Sequence, residues 1–304
     1  MTTAAASTPT AAPPTAPPAA AVAGPRRPHR RRGAASSLTL HGGLAVTAFV
    51  AAFPVLWIAY ISLGGDKFDY QHPGRILDHP TLSNYGHVLT ETNFGTWMTN
   101  SLIVAFGTTL IGVLIAAGAG YAVSRMRFLG RGTLMYTFLL TQMFPVAVLM
   151  VPLYKIMAGL GLLDTYSGLI LIYCSTAVPY CAWLLKGYFD TIPVDIDEAG
   201  RIDGLSPFGT FWRLVLPLAR PGLSVAAFYT FITAWGEVAY ASHFMLSEDR
   251  YTLAVGLQTY VSQFNSQWNL MAATSVLIAV PAALVFYVVQ KHLVSGLTSG
   301  GTKG

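Results

Sequence analysis

Charge is what this sequence has least of. Only 10% of its 304 residues are Asp, Glu, Lys or Arg, where a soluble globular protein carries about a quarter. So few charges cannot cover the surface of a soluble domain of this size. A hydrophobic content of 53% and a mean hydropathy of +0.52 also exclude disorder of the whole chain. Cysteine is nearly missing: Cys174 and Cys181 are the only two, which excludes a disulfide-built scaffold. They lie seven apart on one expected helix, about 10 Å along its axis, and cannot bridge each other. Signatures of chemistry are missing as well. There is no HExxH, no GxSxG and no phosphate-cradling GxxxxGK[ST], and the seven histidines are scattered. The chain thus has no visible catalytic or nucleotide-binding constellation. What remains is a polytopic, all-α membrane protein.

Six segments have the roughly 20 apolar residues that a membrane-crossing helix needs. They fall at about 40–63, 99–124, 133–157, 166–189, 215–239 and 270–290. The second is rich in Gly and Ala, which lets helix backbones approach closely and places it inside a bundle. The third to fifth contain Pro145, Pro152, Pro179, Pro217 and Pro221. Prolines at such depth mark packing kinks or a pathway, since neighbouring helices or a cavity must satisfy the freed backbone.

Orientation follows from the cations. With both termini inside, 14 of the 18 Lys and Arg residues lie on the inner side, leaving Lys67, Arg75, Lys155 and Arg250 outside. The positive-inside rule then predicts cytoplasmic N and C termini. Residues 1–37 read as a disordered Ala/Pro/Arg-rich cytoplasmic tail, and 38–304 as the membrane domain. A cleaved signal peptide is the rival reading of the start. The apolar run after the arginines is too long for that and lacks a clear small-residue cleavage site. The Arg26–Arg32 cluster suits anionic membrane lipid as a topology anchor, not nucleic acid.

No charged residue falls near the middle of any span. Intramembrane charges mark ion paths and proton relays, so their absence argues against an ion-coupled pump and favours a neutral solute. Glu237, at the outer end of the fifth span, is either a carboxylate snorkelling to the interface or a gate or contact residue. Gln142, Tyr173 and Tyr180 are polar or aromatic groups within the spans. They are ordinary packing residues or contacts of a translocation path.

The remaining acids concentrate. Five of the thirteen lie between positions 190 and 203, beside the segment DIDEAGRIDGLSPFGTFWRLVLPLARP at 195–221. Ile196, Ala199 and Ile202 follow helical spacing. Asp203-Gly204 breaks that helix. Ser206-Pro207 is an N-cap with proline at the first helical position, and it starts a second short helix bearing Phe208, Phe211 and Trp212. An amphipathic loop on lipid fits poorly, because anionic headgroups repel an acidic segment. A metal site from Asp195, Asp197, Glu198 and Asp203 is a third reading. A protein docking site is favoured.

Glu198-Ala199-Gly200, Asp203-Gly204, Phe211 and Leu216-Pro217-Leu218 together resemble the EAA loop of ABC importer membrane subunits, with Gly200 where the motif has Ala. YTLAVGLQTY at 251–260 and LVSGLTSGGTKG at 293–304 look like the second membrane subunit of maltose/maltodextrin ABC transporters. The resemblance covers roughly 40–304. It implies a type I importer permease fold in a bacterial plasma (inner) membrane and import of a sugar by alternating access, with maltose or maltodextrin favoured over trehalose or another glycoside and over a stand-alone secondary transporter. It implies ATPase-coupling roles for Glu198, Ala199, Gly200, Asp203, Gly204, Phe211 and Pro217. It also implies an ATPase-contacting tail of Ser299, Gly300, Gly301, Thr302, Lys303 and Gly304. The chain itself would hold no cofactor and perform no catalysis. The implied partners are a homologous second permease, an ATPase dimer that uses ATP and Mg, and a sugar-binding protein facing the outer loop at 241–269. Trp235-Gly236-Glu237 departs from the Trp-Asn-Glu of many relatives, so substrate contacts do not carry over from that position.

Overall fold

The computed structural model describes residues 34–65, 74, 76, 79–261 and 266–300, with backbone alone at 34–38 and 292–300. Of the expected disordered tail at 1–37, residues 1–33 lie outside the described residues, while 34–37 are helical, at the start of the first helix. The chain divides into two compact units, Met1–Ala52 and Phe53–Gly304. The first contains the start of helix α1 (Ala34–Ser62), whose residues 39–52 are exposed. An exposed apolar helix of this kind presents a surface for lipid or for another chain.

The second unit continues with α2 (Ser83–Glu91), α3 (Phe94–Arg125), α4 (Arg131–Thr141), α5 (Val146–Gly159) and α6 (Tyr166–Phe189). After them come α7 (Asp195–Ile202), α8 (Pro207–Thr210), a π-helical turn at Phe211–Val215 and α9 (Leu216–Leu218). The chain ends with α10 (Arg220–Trp235), α11 (Ala241–Phe244), α12 (Leu253–Gly256) and α13 (Trp268–Gly300). Among the described residues the only β pairing is an isolated bridge between Val261 and Ser266.

Among the described residues four helices are long and apolar enough to cross a membrane alone: Thr39–Ser62, Phe94–Arg125, Tyr166–Phe189 and Trp268–Lys291. The expected third and fifth spans differ from single helices. The third is broken into α4 and α5, which meet at 104°. Pro145 is the cause: it sits extended at the N-cap of α5, lacks an N–H and disfavours helical backbone before it. The fifth is broken near Ala219, where Pro207–Leu218 and α10 meet at 82°. Pro217 and Pro221 each remove a helical donor, and the chain takes up the mismatch in the π turn, where the Leu216 amide bonds back to the Phe211 carbonyl. Counting each bent pair as one span brings the number to six.

The core is built on α3. Its small residues face α6, as the Gly/Ala content predicts. A Cβ on Gly120 would stand 3.0 Å from the Ala182 carbonyl oxygen and the Lys186 amide nitrogen, so any larger residue would push the two backbones apart. Helix α10 completes the core, with Cys174 and Cys181 both buried and free. The Cys181 thiol lies 3.3 Å from the Thr230 hydroxyl. At 32 residues, α3 is about 48 Å long, longer than the hydrocarbon layer of roughly 30 Å. Both of its ends therefore project to where function is expected.

Candidate functional site

Helix α7 starts with Asp195, Asp197 and Glu198 in its first turn, where acids favour the positive end of the helix dipole. It stops by a Schellman motif. The Gly204 amide donates to the Arg201 carbonyl at 3.0 Å, and the Leu205 amide donates to the Gly200 carbonyl at 2.9 Å. This requires Gly204 at φ +77°, in the left-handed region that glycine occupies without strain. Ser206 then caps α8, its hydroxyl accepting from the Gly209 amide at 3.1 Å, with Pro207 in the first turn.

Which face of α7 turns inward differs from the periodicity. Ile196 is half-buried, Ala199 is exposed and Ile202 is 86% exposed. The inward residues are Asp197 and Gly200. Asp197 Oδ1 accepts the Tyr121 hydroxyl at 2.6 Å, and its Oδ2 accepts Arg125 Nε at 2.8 Å. Arg125 also donates from its terminal nitrogen to the Ile192 carbonyl at 2.7 Å. On an eight-residue helix a buried ion pair outweighs two apolar side chains, because an unpaired buried charge costs several kcal/mol. Beside it, Ser124 donates to Asp190 at 2.7 Å and Lys186 pairs with Asp190 at 2.6 Å. Burial opposes ionisation of Asp190. The Lys186 ammonium and the Ser124 hydroxyl overcome it and hold the carboxyl below its ordinary range.

Gly200 is a packing position. A Cβ there would fall 2.7 Å from Thr210 Oγ1 and 3.0 Å from Leu214 Cδ1, so the missing methyl lets α7 cross the following segment closely. Phe211 is likewise internal, 4.7 Å from the Tyr121 ring and 6.3 Å from the Phe189 ring between centroids. Pro217 is exposed beside the bend. What faces outward is Glu198, Ala199, Asp203 and Gly204, together with Ile202, Phe208 and Trp212. The rings of Phe208 and Trp212 stack at 6.2 Å. The surface is a carboxylate-bearing apolar patch on a braced turn. Of the four acids of the metal reading, Asp197 points inward to Arg125 while Asp195, Glu198 and Asp203 are exposed.

The path candidates line up along α6. Tyr173 is buried and donates to Glu237 Oε2 at 2.7 Å. Glu237 also accepts the Tyr240 and Ala241 amides at 2.9 and 3.1 Å, which caps the turn into α11. One turn along α6, Gln142 donates to the Thr176 carbonyl at 2.8 Å. A further turn on, Tyr180 packs on Tyr229 at 4.3 Å. A groove of about 550 Å³ lies elsewhere, between α3 and α10, and none of these four residues lines it. Ser299 and Gly300 fall at the end of α13, in its backbone-only part. Gly301, Thr302, Lys303 and Gly304 lie outside the described residues.

At the other end of α3, the segment after α10 is folded tightly onto the helix, a feature that the sequence reading of an outer loop did not announce. Trp97 Nε1 donates to the Glu248 carbonyl at 3.1 Å. Asn100 donates to the Asp249 and Tyr251 carbonyls, and Ser101 accepts the Leu253 amide at 2.8 Å. Asp164 has φ +57° and accepts the Leu246 amide, the Ser247 amide and the Ser247 hydroxyl. Burial works against ionisation of Asp164, but these hydrogen bonds and Arg250 hold its carboxyl below the ordinary value. Arg250 lies 4.8 Å over the Tyr166 ring.

Comparison with known proteins agrees with this architecture. Residues 108–299 match the family model "Binding-protein-dependent transport system inner membrane component". The chain is 40% identical over 225 residues to the maltodextrin transport system permease protein MdxG of Bacillus subtilis (strain 168), covering 74% of this chain and 81% of that one. It is 35% identical over 257 residues to the trehalose transport system permease protein SugB of Mycobacterium tuberculosis (strain CDC 1551 / Oshkosh), covering 84% and 93%. Its fold is similar to a chain in the crystal structure of a bacterial ABC transporter involved in the import of the acidic polysaccharide alginate. There the TM-score is 0.69 at 24% identity, over 84% of this chain and 96% of that chain. The chain belongs to the binding-protein-dependent transport system inner membrane components, the membrane-spanning permease subunits of ABC importers.

Proposed function

We propose that this permease imports a sugar, of the maltose or maltodextrin type, by ATP-driven alternating access. Each bent helix pair then serves as one span, making six, with both termini in the cytoplasm and residues 38–304 as the transport domain. The chain performs no catalysis. A separate ATPase dimer hydrolyses ATP with Mg, a homologous second permease completes the pathway, and a sugar-binding protein delivers the solute to the folded segment after α10.

The observation that carries this reading is the α7–α8 turn. It offers Glu198 and Asp203 beside Ile202, Phe208 and Trp212, on a backbone whose reversal depends on Gly204. A rigid, acidic and apolar projection suits a basic, apolar cleft on a partner. In this arrangement Glu198, Ala199, Asp203 and Gly204 make the ATPase contact. Gly200 and Phe211 shape the turn from within, Pro217 shapes the bend that follows it, and the tail Ser299–Gly304 reaches the ATPase dimer. Gln142, Tyr173, Tyr180 and Glu237 border the path.

The test is co-expression with the ATPase, the partner permease and the binding protein. Wild-type chain should co-purify the ATPase, and vesicles should accumulate radiolabelled maltotriose. Glu198→Arg, which reverses charge on an exposed side chain, should lose the ATPase while still inserting in the membrane. Equal recovery of the ATPase with Glu198→Arg would sink the docking assignment. Similarity to a trehalose permease favours a second reading, trehalose as the solute, and competition between unlabelled trehalose and maltotriose for uptake separates the two.

A further inference from the structure

We propose that Arg125 and Asp197 are positioning residues for transport, joining α7 to the end of α3 so that α3 carries movement between the ATPase face and the solute-delivery face. The inference rests on the functional reading above for the identity of the two faces. Its geometry stands on α3 itself.

Helix α7 is joined by chain to α6 and α8, and those connections alone would let it tilt against α3. The end of α3 removes that freedom at Asp197 and braces the Asp190–Ile192 connection that leads into α7. Tyr121 and Arg125 hold the two oxygens of Asp197. Arg125 also holds the Ile192 carbonyl, and Ser124 holds Asp190. The Arg125 and Asp197 side chains are only 9% and 6% exposed. An exposed pair could open at little cost. A buried pair cannot, because separation leaves both charges unsolvated. Displacement of α7 by a partner is therefore passed to α3 before the pair opens. Glu198 is the adjacent residue and points outward, so one short helix carries one acid for a partner and one acid for α3.

The other end of α3 grips the folded segment after α10 through Trp97, Asn100 and Ser101. One uninterrupted helix of 32 residues thus ends in both faces. Coupling between sites is a free energy and acts in both directions. The pair should carry the effect of ATP on solute release and the effect of the loaded binding protein on ATP hydrolysis.

The experiment uses the full complex in proteoliposomes, with radiolabelled maltotriose as solute and all values taken at matched amounts of assembled complex. Asp197→Asn should keep basal ATP hydrolysis, and should lower both import per ATP and the stimulation of hydrolysis by the loaded binding protein about ten-fold. The double variant Asp197→Asn with Arg125→Gln has no unpaired buried charge and serves where the single variant assembles poorly. Its two ratios should stay low. Tyr121→Phe keeps the ion pair and should lie between. Ratios within two-fold of wild type in both Asp197 variants would overturn the proposal, as would a double variant that regains normal ratios, which is the behaviour of a pair needed only for folding. A wild-type complex that hydrolyses ATP without importing the sugar contradicts the functional reading instead, and stimulation of hydrolysis then remains the readout for the pair.

Discussion

Replacing Gly256 by Ala tests whether the segment after α10 is a folded cap on α3. Gly256 lies in α12 with helical backbone, so alanine is tolerated by φ and ψ. The obstacle is Trp97. A Cβ at 256 would stand 2.3 Å from Trp97 Cε3, 2.4 Å from Cδ2 and 2.7 Å from Cζ3. The ring is 2% exposed, packs edge-on against Tyr260 at 6.4 Å and is tethered through Nε1 to Glu248, so it cannot simply retreat. Overpacking of this kind costs up to about 3 kcal/mol. Loss of the indole hydrogen bond adds about 1 kcal/mol, and the better helix propensity of alanine returns about 1 kcal/mol. The expected net is about 3 kcal/mol of local stability, or roughly 100-fold more opening. Hydrogen exchange reports opening directly. The buried Leu253 amide, held by Ser101, should exchange about 100-fold faster in Gly256→Ala. Trp97→Leu in the same chain should restore about 1–2 kcal/mol, because the clashing atoms are gone. Wild-type exchange at Leu253 in Gly256→Ala would refute the packing argument.

Two further outcomes are expected. At Gly204 the ideal Cβ meets nothing within 4 Å, so only backbone strain acts. Asn should cost least, Ala about 1 kcal/mol and Val about 2 kcal/mol, read as a matching order of declining ATPase co-purification; a flat series excludes the left-handed requirement. At Asp164 the carboxyl titrates below its ordinary value. Its contribution is therefore complete above about pH 3.9 and is lost as pH falls through the lower folded value. Exchange at 246–250, corrected for intrinsic rates, should be constant from neutral to mildly acidic pH and accelerate only below that; acceleration already near pH 6 contradicts the assignment.

Local physics was legible in the sequence because it needs only neighbours along the chain. The break at Asp203-Gly204 and the Ser206-Pro207 helix start follow from backbone conformation and capping alone. The apolar spans follow from length, and the close packing of the second from its Gly and Ala. The bends were partly legible: prolines announced kinks, but not that α4 and α5 meet at 104°, which depends on what each half packs against. The EAA resemblance identified the segment, yet motif order treats Gly200, Phe211 and Pro217 as equal partners of Glu198.

Only the tertiary structure decided which of those residues faces which way. Asp197 and Glu198 are adjacent acids with the same local preferences. Asp197 turns inward because Arg125 and Tyr121, more than 70 residues earlier, arrive beside it. Tyr173 meets Glu237, and Trp97 meets Gly256, for the same reason. By itself the sequence determined a membrane-embedded helical chain with one charged, braced turn, since hydropathy and turn chemistry are local. The assignment of each side chain to partner, core or path belonged to the packing of α3, because burial and charge pairing depend on residues that the chain brings together only when folded.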